Sequence, residues 1–466
     1  MNSILPYDKD SIRSIFEYSK GLLGKTLRDF MREDYVPKKG KGGVGQMVEN
    51  LYFLLKTNSN PNADFSEAGI ELKSTPLIKK MNLKKKKEEY AIKERLVCGM
   101  INYCKVINED FEHSHFYLKC HLMLLLFYLY EKNIDKLDYQ FIFSVLWRLP
   151  EKDLLIIRND YQTIINKIKR GEAHLLSEGD TMYLGACRKG QKGENQMKQP
   201  YSDVTAPRRA FSLKMSYMRT ILQQVVESKQ QAITNDATIS AELINKDALS
   251  KSDFEQLLLD RFTSFKGKQY TAIANELGVN IDNNPKNKFS IIANAIASEK
   301  KIANINQSEE FKKAGLTMKT IRLQANGKIK ESMSFENIDY TEVAECDEWY
   351  DSRLYELFSS RFMFVIYREL HDKQGDYMLD KVFFWTMPTT DLETAELYWK
   401  HIREVVMNDH IGNGEWWEKS DKRKFHVRPK GRNAKDLVPS PKGTMVKKYC
   451  YWFNNEYVKE IVESHE

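Results

Sequence analysis

Apolar residues recur at helical spacing at Val44, Met47, Val48, Leu51, Leu54 and Leu55, which predicts a helix over residues 44–55 with one buried stripe. Glu49 falls off that stripe. Further on, Ile70 and Leu72 alternate with Glu71 and Lys73, the period of a strand that sets one face in a core and the other outside. Ala68-Gly69 just before them reads as a turn that folds Asp64 back beside Glu71. The longest apolar run, residues 122–130, predicts a buried central strand and is far short of the ~20 residues needed to cross a bilayer. Residues 362–367 predict a second central strand, and residues 156–168 and 397–407 predict helices. Strands and helices mixed within one unit imply α/β or α+β domains.

The pattern repeats. Asp64-Phe-Ser-Glu-Ala-Gly-Ile-Glu71-Leu-Lys73 returns 246 residues later as Glu310-Phe-Lys-Lys-Ala-Gly-Leu-Thr317-Met-Lys319, and Lys20-Gly21 returns at the same distance as Lys266-Gly267. A duplicated domain is the simplest explanation. A polar stretch with few large apolar residues lies between the copies, so the expected division is residues 1–226, a linker at 227–252, and residues 253–466.

Composition adds bounds rather than a function. The 466 residues are 42% hydrophobic and 12% aromatic, enough to build two or three cores. Lysine and arginine exceed aspartate and glutamate by 72 to 65, a net +7 that points to a polyanion only if gathered onto one face. The opening residues lack the basic and apolar regions of a secretory signal, so a cytoplasmic location is expected. The six cysteines, scattered and without a C-x-x-C pair, suit reduced thiols rather than disulfides or zinc. His113, His115 and His121 cluster without partners at zinc spacing, and read as ordinary surface or core histidines.

The repeated segment is where the chemistry concentrates. Cutting a phosphodiester with a divalent metal requires clustered carboxylates to hold the ion and a nearby cation to orient or activate water. Asp64, Glu71 and Lys73 meet that need, and Glu49 on the preceding helix can complete the shell. Charged residues at this spacing also occur on solvated surfaces, but the second copy sharpens the contrast. There the equivalents are Glu310, Thr317 and Lys319, and Glu49 falls at Ala295 or Ile296, as expected of a decayed active site.

These residues resemble a known family. Lys41-Gly-Gly-Val-Gly45-Gln-Met-Val-Glu49 followed by Asp64 to Lys73 is similar to the MutH strand-nicking endonuclease and the type II restriction enzymes that share its fold. The likeness continues through Phe111-Glu-His-Ser-His115-Phe-Tyr-Leu-Lys119 and Arg209-Ala-Phe-Ser-Leu-Lys214, and a weaker version runs through Phe425-His-Val-Arg428-Pro429-Lys430. An active domain followed by a degenerate copy resembles the Sau-type GATC restriction endonucleases. The resemblance implies two tandem restriction-endonuclease-like domains, Glu49, Asp64 and Glu71 as a Mg²⁺ site, and Lys73 and Lys119 as catalytic lysines. In the copy, Leu357 stands where Lys119 would be. It implies double-stranded DNA containing GATC as substrate, and a monomer that dimerises or loops DNA on binding two sites, with the second domain as effector. Ser212 stands where MutH carries the tyrosine associated with sensing adenine methylation, so cleavage indifferent to that methyl group is expected, as a digest of adenine-methylated DNA would show.

Base-reading candidates are residues 183–190, with Arg188 and Lys189, and residues 428–433, with Arg428, Pro429 and Lys430. Arginine pairs bidentately with guanine and asparagine with adenine, although cationic loops are often merely solvated. Cys187-Arg188 replaces the Arg-Pro of MutH. Ser212 and Lys214 join the expected DNA contacts. Gly40-Lys41-Gly42-Gly43-Val44-Gly45 matches G-x-G-x-x-G, but no apolar strand precedes it, which argues against a dinucleotide cofactor. Its glycines and Lys41 suit a DNA phosphate instead. Lys79, Lys80 and the lysines at 84–87 fit either a phosphate backbone or a solvated turn. Two other readings remain at this stage, a repair nickase like MutH and a non-catalytic DNA-binding protein.

Overall fold

The computed structural model describes residues 5–31, 43–55, 62–82, 87–190, 196–228, 243–281, 283, 285–371, 373–412 and 415–465. The chain forms two compact units that divide at Ser240/Ala241, with short exchanges at residues 177–179 and 312–314.

In the first unit the strands are β1 Glu71–Asn82, β2 Lys87–Ile92, β3 Leu96–Met100, β4 Leu122–Leu129, β5 Phe141–Arg148, β6 Leu184–Arg188, β7 Gln196–Gln199, β8 Ser202–Pro207 and β9 Arg209–Leu213. One sheet has the order β2-β1-β4-β5, with β1 parallel to β4 and antiparallel to β2. Every residue of β4 is buried, as a strand flanked on both edges and covered on both faces must be. A second sheet has the order β3-β9-β6, and β7 and β8 form a separate hairpin. Leu72, Leu124 and Leu126 pack with Ile15, Phe16, Val48, Leu51 and Phe141 on one side of the first sheet.

The second unit holds β10 Thr317–Leu323, β11 Met333–Asn337, β12 Arg361–Leu370, β13 Lys373–Thr386, β14 Phe425–Pro429, β15 Leu437–Pro439, β16 Met445–Lys447 and β17 Tyr449–Phe453. Its sheets run β10-β12-β13, β11-β17-β14 and β15-β16. The register of β10 on β12 matches that of β1 on β4: the first residue of the leading strand, Thr317 or Glu71, faces the second of its parallel neighbour, Phe362 or Met123. An aromatic core of Phe335, Phe358, Phe362, Trp385, Tyr398 and Phe453 fills this unit.

Several expectations are modified. The helix over 44–55 is an α-turn, Val44–Met47, that widens into a π-turn, Val48–Tyr52. The extra residue per turn rotates the stripe, so Tyr52 and Phe53 are buried while Leu54 and Leu55 are only half-buried. Residues 183–187 are buried strand rather than loop, because each pairs in or beside the β6–β9 ladder; Arg188 and Lys189 are half-buried and Gly190 is exposed. Lys79 and Lys80 lie within β1, not after it. Cys98, Cys120, Cys187 and Cys450 are buried, and Cys104 is exposed. Lys246–Leu249 is a short helix inside the expected linker. Among the described residues no helix is long and apolar enough to cross a membrane.

Candidate active site

The local fold around residues 64–73 follows from one tight turn. Phe65 and Ile70 exchange both backbone hydrogen bonds, at 3.0 and 3.2 Å, and Gly69 closes the loop at φ +67°, a conformation that costs an L side chain but not glycine. Asp64 is thereby returned to β1, where its Oδ2 accepts the Leu72 N–H at 2.9 Å. Ile70 and Leu72 point into the core while Glu71 and Lys73 share the other face.

Glu71 is the centre of this face, with 3% of its surface exposed. Its Oε1 accepts from Lys73 Nζ at 2.7 Å and from Lys119 Nζ at 3.5 Å. Lys119 is delivered by the helix His115–Cys120, which Ser114 caps by accepting the Tyr117 N–H. The other carboxylate oxygen of Glu71, Oε2, is buried and has no hydrogen-bond partner.

Glu49, at the start of the π-turn, has its carboxyl pushed up to about 7, chiefly by burial and then by the charges of Asp64 and Glu71. Burial and Glu71 also raise Asp64, against the Leu72 hydrogen bond and the two lysines. Burial opposes the charge on Lys73, but Glu71, helped by the thiols of Cys120 and Cys98, outweighs it and the net shift is upward. These two buried thiols, from the end of the Lys119 helix and from β3, lie beside Lys73 and were not anticipated as part of the site.

The donor set suits a hard divalent cation, which prefers oxygen ligands. Among the described residues no three His, Cys, Asp or Glu side chains stand close enough to chelate an ion, and Glu71 Oε1 is turned toward the lysines. Its buried, unpartnered Oε2 is the observation that fits a cation: a carboxylate oxygen without a donor is costly unless something positive binds it.

The expected DNA contacts fare unevenly. Ser212 is fully buried in β9 with Oγ unpartnered, and Lys214 is buried and donates to the Thr181 carbonyl, so neither is open to a duplex as the chain stands. Arg188 and Lys189 are half-buried at the exit of β6. Arg428 and Pro429 end β14 and are exposed, with Arg428 stacked over the Trp452 ring at 4.9 Å. Lys430 Nζ is held by Ser334 Oγ and the Phe335 carbonyl. Lys41 lies outside the described residues, as do Gly40 and Gly42. His113 and His115 pair with Asp110 and Glu109, and His121 Nδ1 lies 3.0 Å from the Tyr117 carbonyl.

A mixed sheet that presents two carboxylates and a lysine from one turn and strand has the chemistry of metal-dependent phosphodiester hydrolysis, and the relatives of the chain identify it as a site-specific deoxyribonuclease. The family model of the DNA mismatch repair enzyme MutH matches residues 53–160 and 300–396. The type II restriction enzyme Sau3AI of Staphylococcus aureus is 30% identical over 496 residues, covering 97% of this chain and 98% of that protein. The DNA mismatch repair protein MutH of Shewanella woodyi is 27% identical over 209 residues, 42% of this chain and 81% of its own. The chain belongs to the Sau3AI-type restriction endonucleases of the MutH family. Enzymes of this type generally use a divalent metal.

Proposed function

We propose that the chain is a Mg²⁺-dependent type II restriction endonuclease that cuts double-stranded DNA at GATC, with Glu49, Asp64 and Glu71 as metal-site residues and Lys73 and Lys119 as catalytic lysines. The unpartnered Oε2 of buried Glu71, beside two lysines and Asp64, is the observation that carries this reading. A bound Mg²⁺ would supply charge stabilisation at the scissile phosphate and a more acidic water. The residues themselves do the rest. Glu71, Asp64 and Glu49 would hold the ion, while Lys73 Nζ and Lys119 Nζ, both beside Glu71, are placed to orient the attacking water and neutralise the phosphate. Asp64 stays anchored by the Leu72 N–H, so its free oxygen is held at a fixed place beside β1.

The second unit is proposed as a degenerate copy that binds another GATC site as effector. Three local features support duplication beyond the shared strand register. Gly315 has φ +68° where Gly69 has +67°, and the Leu316 N–H bonds the Phe311 carbonyl as Ile70 bonds Phe65. Each long helix also begins with a buried Tyr–Asp bond, Tyr217 to Asp153 at 2.6 Å and Tyr457 to Asp391 at 2.7 Å. The metal chemistry is lost: Thr317 replaces Glu71, and Glu310 accepts the N–H groups of Leu243 and Ile244. Leu357 occupies the Lys119 position counted from the helix cap, Ser352 against Ser114. One active site per chain means that a double-strand break needs two chains meeting on DNA or two successive nicks.

Sequencing the ends left on plasmid DNA in Mg²⁺ tests the assignment. Ends at GATC agree with it, and ends at another sequence reject the site. A MutH-like nickase would leave nicked circles and be stimulated by a repair partner, but it gives no role to the second unit.

A further inference from the structure

The second unit contains a cavity of about 330 Å³ that the catalytic reading does not use. Lys319, the counterpart of Lys73, opens into it from β10, together with Lys286, Arg322 and Lys330. Against these four cations stands one carboxylate, Glu331, and it is engaged by Arg322 at 2.5 Å. The ten-residue helix Lys288–Ala297 starts at the same wall, and its N-terminal dipole adds to the positive field.

Lys319 makes the case specific. In the first unit the equivalent lysine rests on Glu71; here Thr317 holds that strand position, and Lys319 Nζ donates to the Ser334 carbonyl oxygen at 2.9 Å. Among the described residues no carboxylate pairs with it. Burial, and then the neighbouring charge of Lys430, push its ammonium down to about 8, so an anion would relieve it. Ser332 Oγ, also lining the cavity, is buried without a partner and has a hydrogen to donate. A partly buried cation without a counter-ion is unfavourable in the free protein. A ligand with acceptor oxygens and negative charge would supply the counter-charge that Lys319 lacks, and with no carboxylate cluster lining the cavity to hold a metal the ligand would be bound and not cut.

We propose that this cavity is a seat for a backbone phosphate of duplex DNA, gripped by Lys319 with Lys286, Lys330 and Ser332 and held without hydrolysis. The proposal rests on the second unit being the binder of a second DNA site.

The test is equilibrium binding of a GATC duplex to the full chain without divalent metal, over a series of KCl concentrations, for wild type and Lys319→Met. Two duplexes per wild-type chain are expected. Lys319→Met should weaken one of the two events on the order of tenfold and lower its log–log salt slope by about one, leaving the other event unchanged. Lys319→Arg, which keeps a cation, should retain most of that affinity, and thermal melting of each variant reports whether it is folded. If wild type binds a single duplex, the second-unit reading fails and the seat with it. If two bind but folded Lys319→Met matches wild type in affinity and slope, only the seat is overturned. If millimolar inorganic phosphate raises the melting temperature of wild type but not of Lys319→Met while duplex binding is equal in both, the cavity takes free phosphate and the backbone assignment is wrong.

Discussion

Glu71 accepts from two lysines on one oxygen and leaves the other buried and unpaired, so neutralising it removes the counter-charge of Lys73 and Lys119 together. Glu71→Gln should reduce cleavage on the order of a thousandfold or more and destabilise the fold by about 3 kcal/mol, since a buried cation then lacks its partner. Denaturant unfolding beside a cleavage assay measures both; wild-type stability would mean that the lysines do not depend on Glu71. Glu49 carries a pH signature. Its carboxyl sits at about 7 rather than 4.5, so the folded metal-free protein keeps a proton that the unfolded chain releases. That contribution is full below pH 4.5 and lost as pH rises through 7. In EDTA, the melting temperature of wild type should therefore fall relative to Glu49→Gln between pH 5 and 7.5; parallel profiles would refute the shift. The positions of Glu71 and Lys73 on one face were legible from strand alternation, and that of Asp64 beside them from the turn before Ile70. Lys119 was visible only through family resemblance, since no local period links residue 119 to residue 71. The burial of Ser212 and Lys214 was not legible, because both residue types are usually exposed and the central position of Ser212 in β9, with Lys214 just beyond it, depends on partners far along the chain.

At the level of elements, the turn at 66–69 decides whether Asp64 and Glu71 share a face. A Cβ at Gly69 would meet only the His121 ring at 3.8 Å, an ordinary contact, so the penalty for Gly69→Ala comes from the backbone at φ +67°. The variant should lose about 1 to 2 kcal/mol and cut more slowly while still binding DNA. Chemical denaturation and a metal-free binding assay check this; unchanged stability and rate would show that the turn does not position Asp64. The sequence announced this turn and the strands β4 and β12 clearly, because alternation and long apolar runs are local signals. It did not announce the π-turn that carries Glu49. Six apolar residues fit α-spacing over 44–55, and only the packing of Tyr52 and Phe53 against the core selects the wider turn.

For the whole molecule, the repeat at 246 residues predicts two units, and the chain forms two compact units. The cationic cavity around Lys319 depends on side chains from β10, β11, a helix and the segments beside them, which no single stretch of sequence reveals. The central claim is that a metal site at Asp64 and Glu71 cuts DNA at GATC under the influence of a second bound site. Its most direct test is a Mg²⁺ digest of plasmids with one and with several GATC sites, using full-length wild type and Asp64→Ala. We predict linear fragments ending at GATC, formed faster on multi-site DNA and absent with Asp64→Ala. Cleavage that survives Asp64→Ala, or no metal-dependent cleavage by wild type, would contradict the account.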